Sequence, residues 1–363
     1  MKQKSDQKIS VLIDTSPLGN ANAVRGVGMY TRLLVEFLKK VPQQINVFSS
    51  TVEVDKQHQP DIIHYPFFDL FFLTLPFFHS KPTIVTVHDV IPLIFPKYYP
   101  AGAKGMIKFF KQKVALKRVD GIITDSLASK TDIMKHLSVS EDKIYVVPLA
   151  ANPYLSLQDE KNIRRVRREY HLPANFVLYV GDINYNKNLP QLIKAVRFLP
   201  ANVKLVCVGK SFYPHDIPEW QWLETQMALS DVKDRVKFLT NVNTDDLNDL
   251  AAIYSAAVAY IQPSLYEGFG LPVLEAMACK TPVICTQNSS LVEVAGDRAV
   301  FVDTDAASLA QGVMDVLSWS KTKRQEKVRS AYKWSQNFSW DRVAKQTLEV
   351  YQTVLTKKSK ITK

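Results

Sequence analysis

The sequence has few cysteines and no long apolar run, and both absences narrow the classes to which the protein can belong. Its 363 residues include three cysteines, which lie in apolar stretches without a Cys-x-x-Cys spacing, so neither a disulfide framework nor a zinc site is indicated. The N-terminus is too polar to begin a signal peptide, and no stretch approaches the roughly 18–20 apolar residues of a membrane-spanning helix. These features predict a cytoplasmic protein that is soluble or peripherally attached to a membrane.

Acidic residues are outnumbered by basic ones. The chain has 46 Lys and Arg against 35 Asp and Glu, a net charge of +11. This excess fits three classes of partner: a nucleic acid, an anionic membrane surface or a phosphorylated small molecule. A nucleic-acid-binding protein would arrange its charge as a stripe within a recognisable module, and none is visible. We therefore expect that the protein does not bind nucleic acid. An anionic membrane surface and a phosphorylated small molecule remain as the candidate partners.

The pattern of elements predicts an α/β protein of two domains. Short β-branched runs alternate with longer segments of helical period, which is typical of parallel sheets with crossover helices. The alternation pauses in a linker at Val147–Leu157 and then restarts. It predicts two Rossmann-like, doubly wound domains, residues 1–150 and 151–339, facing each other across a cleft at the carboxyl ends of their strands. A last helix, Trp340–Leu355, is expected to cross back so that residues 340–363 pack on the first domain, with a frayed tail at Lys357–Lys363.

The predicted strands are Ile9–Ile13, Ile62–Tyr65, Thr83–Val87, Gly121–Thr124 and Lys143–Val147 in the first half, and Phe176–Val180, Lys204–Val208, Val236–Leu239, Ala257–Ile261, Pro282–Cys285 and Ala299–Val302 in the second.

The most informative stretch runs from Ser264 to Ala278 and reads as a strand–loop–helix corner. The amides of its loop, together with the positive end of the helix dipole, would point at an anion; they belong to Phe269, Gly270 and Leu271. Glu267 and Glu275 stand eight positions apart, so one can face a sugar while the other accepts hydrogen bonds from ribose hydroxyls. The alternative for two isolated glutamates is an acidic turn that complements the helix dipole.

This string resembles that of the retaining group 1 glycosyltransferases, family 4, which have the two-domain GT-B fold. Four further segments match the family in the right order. They are Arg25–Tyr30, Val85–Val90, Tyr179–Gly181 together with Lys187–Leu189, and Trp334–Trp340. The resemblance implies transfer of a hexose from a nucleotide-diphosphate sugar to a glycan or lipid-linked acceptor, without metal or cofactor. The first expectation for the donor is GDP-mannose and the second a UDP-sugar. The resemblance also implies that Glu267 approaches the donor sugar and that Glu275 holds the nucleotide ribose.

Two glycines and a histidine in the first half become candidates on the same grounds. Gly26 and Gly28 allow close approach of backbone to a diphosphate, although a plain turn explains them equally well from the residues alone. A lone histidine is usually structural, but the resemblance implies that His88 contacts the donor sugar near the reacting carbon and that Asp89 orients its ring. Ser126 either lines the same cleft or caps the following helix.

Lys187 is the expected cation for the leaving diphosphate, since a point charge there can stabilise the anion without a metal; a solvated surface lysine is the alternative. Many relatives also carry an arginine just after the first glycine of this region or just before the lysine, where this chain has Asp182 and Asn186. Arg25 is one candidate for the missing charge. This departure leaves a catalytically weak or inert nucleotide-sugar-binding relative as the alternative function.

No Asp-x-Asp metal motif stands beside a predicted strand end, so no metal site is expected. The segment expected to face the base of the nucleotide is Leu239–Val242, with Val242 as the binding candidate. Its side chains do not choose between guanine and uracil.

The segment Lys104–Arg118 holds six basic and no acidic residues, interleaved with apolar ones. It predicts a basic amphipathic helix able to lie on an anionic bilayer. An aromatic run in the same domain would add an apolar contact: Phe67, Phe68, Phe71, Phe72, Phe77 and Phe78. The alternative is a helix whose apolar face belongs to the core and whose lysines are solvated. By resemblance the N-terminal domain receives the acceptor, which is often a lipid-linked glycan, so a membrane surface is a coherent partner.

Overall fold

The protein is described by a computed structural model that covers residues 8–20, 23, 26–51, 58–242 and 247–361. The strands within these residues are β1 (Ile9–Asp14), β2 (Ile45–Ser50), β3 (Ile62–Tyr65), β4 (Thr83–Thr86), β5 (Gly121–Thr124), β6 (Ile144–Val146), β7 (Asn175–Val180), β8 (Val203–Val208), β9 (Val236–Leu239), β10 (Ala259–Gln262), β11 (Val283–Thr286) and β12 (Val300–Val302). The α-helices are α1 (Gly26–Lys39), α2 (Ile91–Ile94), α3 (Gly102–Arg118), α4 (Leu127–Asp132), α5 (Glu160–Glu169), α6 (Leu189–Val196), α7 (Pro218–Ser230), α8 (Leu247–Ala256), α9 (Leu271–Ala278), α10 (Leu291–Ala295), α11 (Ala306–Leu317), α12 (Lys321–Ser335) and α13 (Trp340–Ile361).

The strands form two six-stranded sheets in which every described pair is parallel. The first sheet has the order β2-β1-β3-β4-β5-β6, and the second has the order β12-β11-β10-β7-β8-β9. The order of the first sheet reverses between β1 and β3, and that of the second reverses between β10 and β7. In doubly wound sheets ligands bind outside the carboxyl ends of the strands at these switch points. The loops after β1, β7 and β10 are therefore the first places to look for a site.

The chain divides into two compact units, Met1–Leu149 with Ser339–Lys363 and Ala150–Phe338. The borders expected from the sequence, after residues 150 and 339, each differ from these by one residue. The alternation of strands and helices predicted two doubly wound units, and the two parallel sheets confirm that fold class. All three cysteines are buried and unpaired, which agrees with the expected absence of a disulfide framework.

An edge strand and a polar surface helix are among the elements that the sequence pattern does not predict. The edge strand β2 buries Ile45 but leaves most of its other positions partly exposed, so its hydrophobic pattern is weak. Helix α12 is polar on nearly every side, and its buried residues are Ala331 and Ser335. A helix without an apolar stripe gives no period of 3.6 by which to recognise it.

The terminal helix packs on the first unit, as predicted, through a buried chain of side chains. The Tyr351 hydroxyl lies 2.7 Å from His64 Nδ1, and His64 Nε2 lies 2.8 Å from Thr86 Oγ1. The sequence predicts that the helix ends at Leu355 and that a frayed tail follows. Both predictions are wrong for the described residues, because the helix continues to Ile361. Lys358 Nζ lies 2.6 Å from Asp120 Oδ1 and ties the last turns to the sheet.

Candidate active site

The loop between β10 and α9 is shaped by a glycine that no other residue can replace without strain. Gly270 stands just before the helix with φ of +102°, and a Cβ there would lie 2.7 Å from the Leu291 side chain. No described residue accepts a hydrogen bond from the backbone N–H groups of Phe269, Gly270 and Leu271. These groups stand at the positive end of the α9 dipole and are available to an anion.

Glu267 is fixed in this loop by contacts to both its side chain and its backbone. Its Oε1 accepts hydrogen bonds from Ser264 Oγ at 2.6 Å and from Gln262 Nε2 at 2.8 Å. Its backbone N–H donates to Ser289 Oγ at 2.9 Å. The side chain is 7% exposed, so the carboxylate is held almost entirely away from water.

Lys187 reaches the same carboxylate from the turn after β7. Its Nζ lies 2.8 Å from Oε1 and 2.9 Å from Oε2 of Glu267, and its side chain is 21% exposed. The interpretation of Lys187 as a solvated surface lysine is therefore wrong. The two predicted residues, which come from neighbouring strands, form one ion pair at the switch point of the second sheet.

The two departures from the family pattern have different environments. Asn186 is buried; its Nδ2 donates to the Tyr266 carbonyl at 2.9 Å, and its own carbonyl accepts from the Leu265 N–H at 2.7 Å. Asn186 thus ties the Lys187 turn to the Glu267 loop. Asp182 is exposed, and Ser211 Oγ donates to its Oδ1 at 3.3 Å. Arg25, the candidate for the missing charge, lies outside the described residues.

Glu275 is buried in the second turn of α9 beside a tyrosine that sequence reasoning missed. The Tyr254 hydroxyl donates to Glu275 Oε2 at 2.9 Å. Burial raises the pKa of Glu275 to about 7, against the smaller opposite effect of this hydrogen bond. The carboxyl is therefore poised between its neutral and charged forms near neutral pH. Val242 is also buried, three residues after the end of β9.

In the first unit His88 is oriented by Asp125, and the expected role of Asp89 is wrong. His88 Nδ1 lies 2.7 Å from Asp125 Oδ2, whereas Asp89 Oδ1 accepts the Ile91 N–H at 3.0 Å at the start of α2. The physical reason is the sheet: β4 and β5 are neighbours in register, so His88 and Asp125 leave the sheet side by side. Tyr30 packs edge-on against the His88 ring, with the ring centroids 4.8 Å apart.

The second nitrogen of His88, Nε2, is buried. Among the described residues neither His88 Nε2 nor Asp125 Oδ1 has a well-aligned hydrogen-bond partner. Burial is the largest influence on the pKa of His88 and lowers it, but the charge and hydrogen bond of Asp125, with the charge of Asp89, raise it above the ordinary value. A backbone hydrogen bond to Pro66 also raises the pKa, so the protonated imidazole is favoured on both counts.

The remaining candidates of the first unit are helix-start residues. Gly26 and Gly28 lie in the first turn of α1. Ser126 is the N-cap of α4, where its Oγ accepts the Ser129 N–H at 3.0 Å, so the capping interpretation is the one observed. In the part of the chain that the structure describes, no three His, Cys, Asp or Glu side chains gather as metal ligands. Metal independence itself stays a prediction.

Comparison with known proteins supplies two successive family matches. Residues 9–153 match Glycosyltransferase Family 4, and residues 161–334 match Glycosyl transferases group 1. The chain is 28% identical over 281 residues to the O-antigen chain mannosyltransferase B of Escherichia coli, covering 74% of this chain and 70% of that protein. It is 31% identical over 240 residues to the O-antigen chain mannosyltransferase RfbU of Salmonella typhimurium, covering 63% of this chain and 62% of that protein.

A solved structure extends the likeness to the fold of nearly the whole chain. Anabaena HepE, solved in complex with UDP and glucose, superposes with a TM-score of 0.73 at 16% identity, covering 96% of this chain and all of that one. At this identity the likeness concerns the fold alone. With the two family matches and the relatives above, it establishes that this chain belongs to the group 1 glycosyltransferases, family 4, and is a hexosyltransferase with the GT-B fold.

Proposed function

We propose that the protein is a retaining enzyme that moves a hexose from a nucleoside-diphosphate sugar to a glycan or lipid-linked acceptor without a metal ion. The observation that carries the proposal is the Lys187–Glu267 pair at the switch point of the second sheet, 2.8 Å apart. Glu267 stands on the same loop as the amides of residues 269–271, so a cation, a carboxylate and an anion-binding helix start share one place.

The leaving group explains why these parts belong together. A nucleoside diphosphate departs as an anion, so the reaction depends on stabilising charge that develops at its phosphates. Lys187 and the amides of residues 269–271 are suited to that task, and Gly26 and Gly28 would bring backbone to the same phosphates. When a donor binds, its phosphates compete with Glu267 for Lys187, which frees the carboxylate to face the sugar. Glu275 would accept hydrogen bonds from the ribose hydroxyls.

We infer retention of the anomeric configuration from the family resemblance, and not from a particular residue of this chain. In the proposed reaction the acceptor hydroxyl attacks from the face that the phosphate leaves, and the departing phosphate takes the acceptor proton. His88 would contribute a contact to the donor sugar through Nε2, while Asp125 holds its ring. No protein nucleophile is needed on this route.

The relatives favour mannose as the transferred sugar. Two of them are O-antigen chain mannosyltransferases, so GDP-mannose is the first donor to test. The UDP complex of Anabaena HepE keeps UDP-sugars as the second choice. We also propose that the chain works at the cytoplasmic face of a membrane, attached peripherally, because a growing lipid-linked glycan would be presented there.

The test is release of nucleoside diphosphate from a panel of GDP- and UDP-sugars, with and without a chelator. The native chain should turn over one donor in the presence of the chelator, and Glu267→Gln should lose that turnover. Glu326→Gln, which changes an exposed glutamate of α12 in the same unit, is the matched control and should keep it. If the chain binds a donor but releases no product, and Glu267→Gln changes nothing, the inert-relative alternative replaces this proposal. The anomeric configuration of the product, read by NMR, tests retention.

A further inference from the structure

Helix α3 has two apolar faces, and the core needs one of them. Its buried face includes Phe109, Gln112 and Leu116. At about 100° per residue, Ile107, Phe110 and Val114 fall within an arc of roughly 60° on the other side. Ile107 and Phe110 are 60% and 61% exposed. The core-facing apolar face of the alternative interpretation is present, but the helix also displays a second apolar stripe to solvent.

The loop between β3 and β4, residues 66–82, packs against the same helix and exposes further large apolar side chains. Phe71 turns inward against Phe109, with ring centroids 6.2 Å apart, whereas the next side chain, Phe72, is 62% exposed. Leu73 is exposed as well, and Phe78 is 81% exposed. Large apolar side chains that are exposed to this extent on one loop and one helix point to an interaction site rather than ordinary surface.

The loop is held on the helix by a buried glutamine. Gln112 Oε1 accepts the backbone N–H groups of Thr74 and Leu75 at 3.1 and 3.0 Å, and its Nε2 donates to the Leu75 carbonyl at 2.8 Å. Lys108 Nζ lies 4.9 Å from the centre of the Phe72 ring, and the Arg118 guanidinium lies 3.9 Å from that of Phe77. The loop is thus fixed on the helix, and two cations of α3 lie against its aromatic rings.

We propose that this surface, formed by Phe72, Leu73, Phe78, Ile107, Phe110 and Val114 and called here the docking surface, inserts into an anionic lipid bilayer. The charge around it selects the occupant: α3 carries six basic and no acidic residues. A second copy of the chain would bring the same positive charges face to face and be repelled, whereas acidic headgroups neutralise them. Aromatic side chains beside lysines are the composition of a helix that lies in the headgroup region.

This inference depends on the proposed function in one respect: the purpose of the docking surface would be to bring a lipid-linked acceptor to the enzyme. Its contact with lipid is independent of catalysis, so vesicle binding and donor turnover can fail separately. No helix within the described ranges is long and apolar enough to cross a membrane.

The test is co-sedimentation of the full chain with vesicles of phosphatidylcholine, with and without phosphatidylglycerol. The native chain should bind the anionic vesicles and bind the neutral ones weakly. Lys104→Glu with Lys111→Glu should lower the partition onto anionic vesicles by roughly 30-fold or more. Phe72→Ser with Phe78→Ser should lower it by at least about tenfold on either vesicle. All four side chains are exposed, and the contacts of Phe72 with Lys108 and of Phe78 with Phe77 and Arg118 lie at the surface. A thermal melt should therefore show the variants folded.

Two controls and two outcomes decide the matter. Lys321→Glu with Lys327→Glu, on α12 of the other unit, makes the same charge change, and Phe198→Ser removes another exposed ring; both should bind vesicles like the native chain. Equal binding to neutral and anionic vesicles, or equal losses in variants and controls, overturns the proposal. If the chain instead forms a dimer that Phe72→Ser with Phe78→Ser dissociates, the docking surface belongs to a second copy and not to lipid. Donor turnover in solution should stay unchanged in all of these variants.

Discussion

Removing Lys187 should destabilise the fold far more than neutralising its partner Glu267. The Glu267 side chain is 7% exposed and that of Lys187 is 21% exposed. In Lys187→Met the carboxylate keeps its hydrogen bonds from Gln262 and Ser264 but loses its only described cation. Leaving a buried charge without its counter-ion costs about 3–5 kcal/mol, and the two remaining donors place this case near 3 kcal/mol.

The reverse change leaves a flexible cation instead of a fixed anion. In Glu267→Gln the lysine stem can swing its ammonium group into water, and the new amide oxygen still accepts from Ser264 Oγ, so we expect a cost of about 1 kcal/mol. The double variant Lys187→Met with Glu267→Gln buries no charge at all. Its cost should fall below the sum of the single costs by about 2 kcal/mol, which is the coupling energy of a contacting pair.

Urea unfolding followed by tryptophan fluorescence measures these free energies. Lys210→Met, at an exposed lysine of the same unit, is the control and should stay within about 0.5 kcal/mol of the native chain. Single costs of equal size, or costs that simply add in the double variant, would refute the view that burial of the carboxylate makes the pair asymmetric.

The same variants separate binding from transfer. Because Glu267→Gln releases Lys187, the nucleoside diphosphate should bind at least as tightly as to the native chain while donor turnover is lost. Lys187→Met should weaken its binding by about 10- to 100-fold, the range of a charge-assisted hydrogen bond. Calorimetric titration of the nucleoside diphosphate decides the point. Equal weakening in both variants would contradict competition between phosphate and Glu267 for the lysine.

Three further variants test the buried groups. Burial is the largest influence on the pKa of His88 and lowers it, but Asp125 raises it above the ordinary value, so the contribution of His88 to stability is lost as pH rises through the raised pKa. Burial also raises the pKa of Asp125, so the pair is lost again at acid pH, where this carboxylate is protonated. Asp125→Asn should cost about 2 kcal/mol at pH 6 and flatten the decline toward alkaline pH in urea unfolding; an unchanged slope would show that the pair does not titrate. Burial raises the pKa of Glu275 from 4.5 to about 7, so the free energy of unfolding should fall by roughly 3 kcal/mol as pH rises through this window, and Glu275→Gln should remove the fall. Tyr351→Phe leaves the buried His64 Nδ1 without its partner at 2.7 Å, and calorimetry should show about 1–3 kcal/mol of lost stability; a native melting temperature would mean that the terminal helix is held without this bond.

The sequence predicts elements well where packing imposes a period. Strands such as β7 and β10 are buried on both faces and read as apolar runs, so their positions were found within about two residues. The same reasoning misses β2 at the edge of its sheet and α12 on the surface, because neither buries a continuous face. In both elements the hydrophobic pattern is too weak to indicate a strand or a helix.

The site shows a different limit, which is set by the sheet register. His88 and Asp89 are adjacent in the chain, so sequence reasoning paired them. Their neighbours Thr86 and Ile123 are register partners in β4 and β5, which places His88 opposite Asp125, two residues beyond each partner. Side chains that alternate along an extended segment point apart, so adjacent residues seldom serve one another. The register between two parallel strands cannot be read from a single sequence, so the pairing of His88 with Asp125 could not be predicted.

The charge of the chain can now be assigned to its parts. Lys187 of the proposed donor site is already paired with Glu267, and the other anion contacts there are backbone amides. That site therefore contributes almost nothing to the net charge of +11. Helix α3 contributes six positive charges uncompensated by acids in the helix, and they surround exposed aromatic side chains rather than a pocket. A basic excess made for a soluble phosphorylated donor would line a cleft, whereas one made for a bilayer lies on an apolar surface. The distribution of charge thus concerns where the acceptor is met, and the binding of the donor depends on local geometry that the net charge does not report.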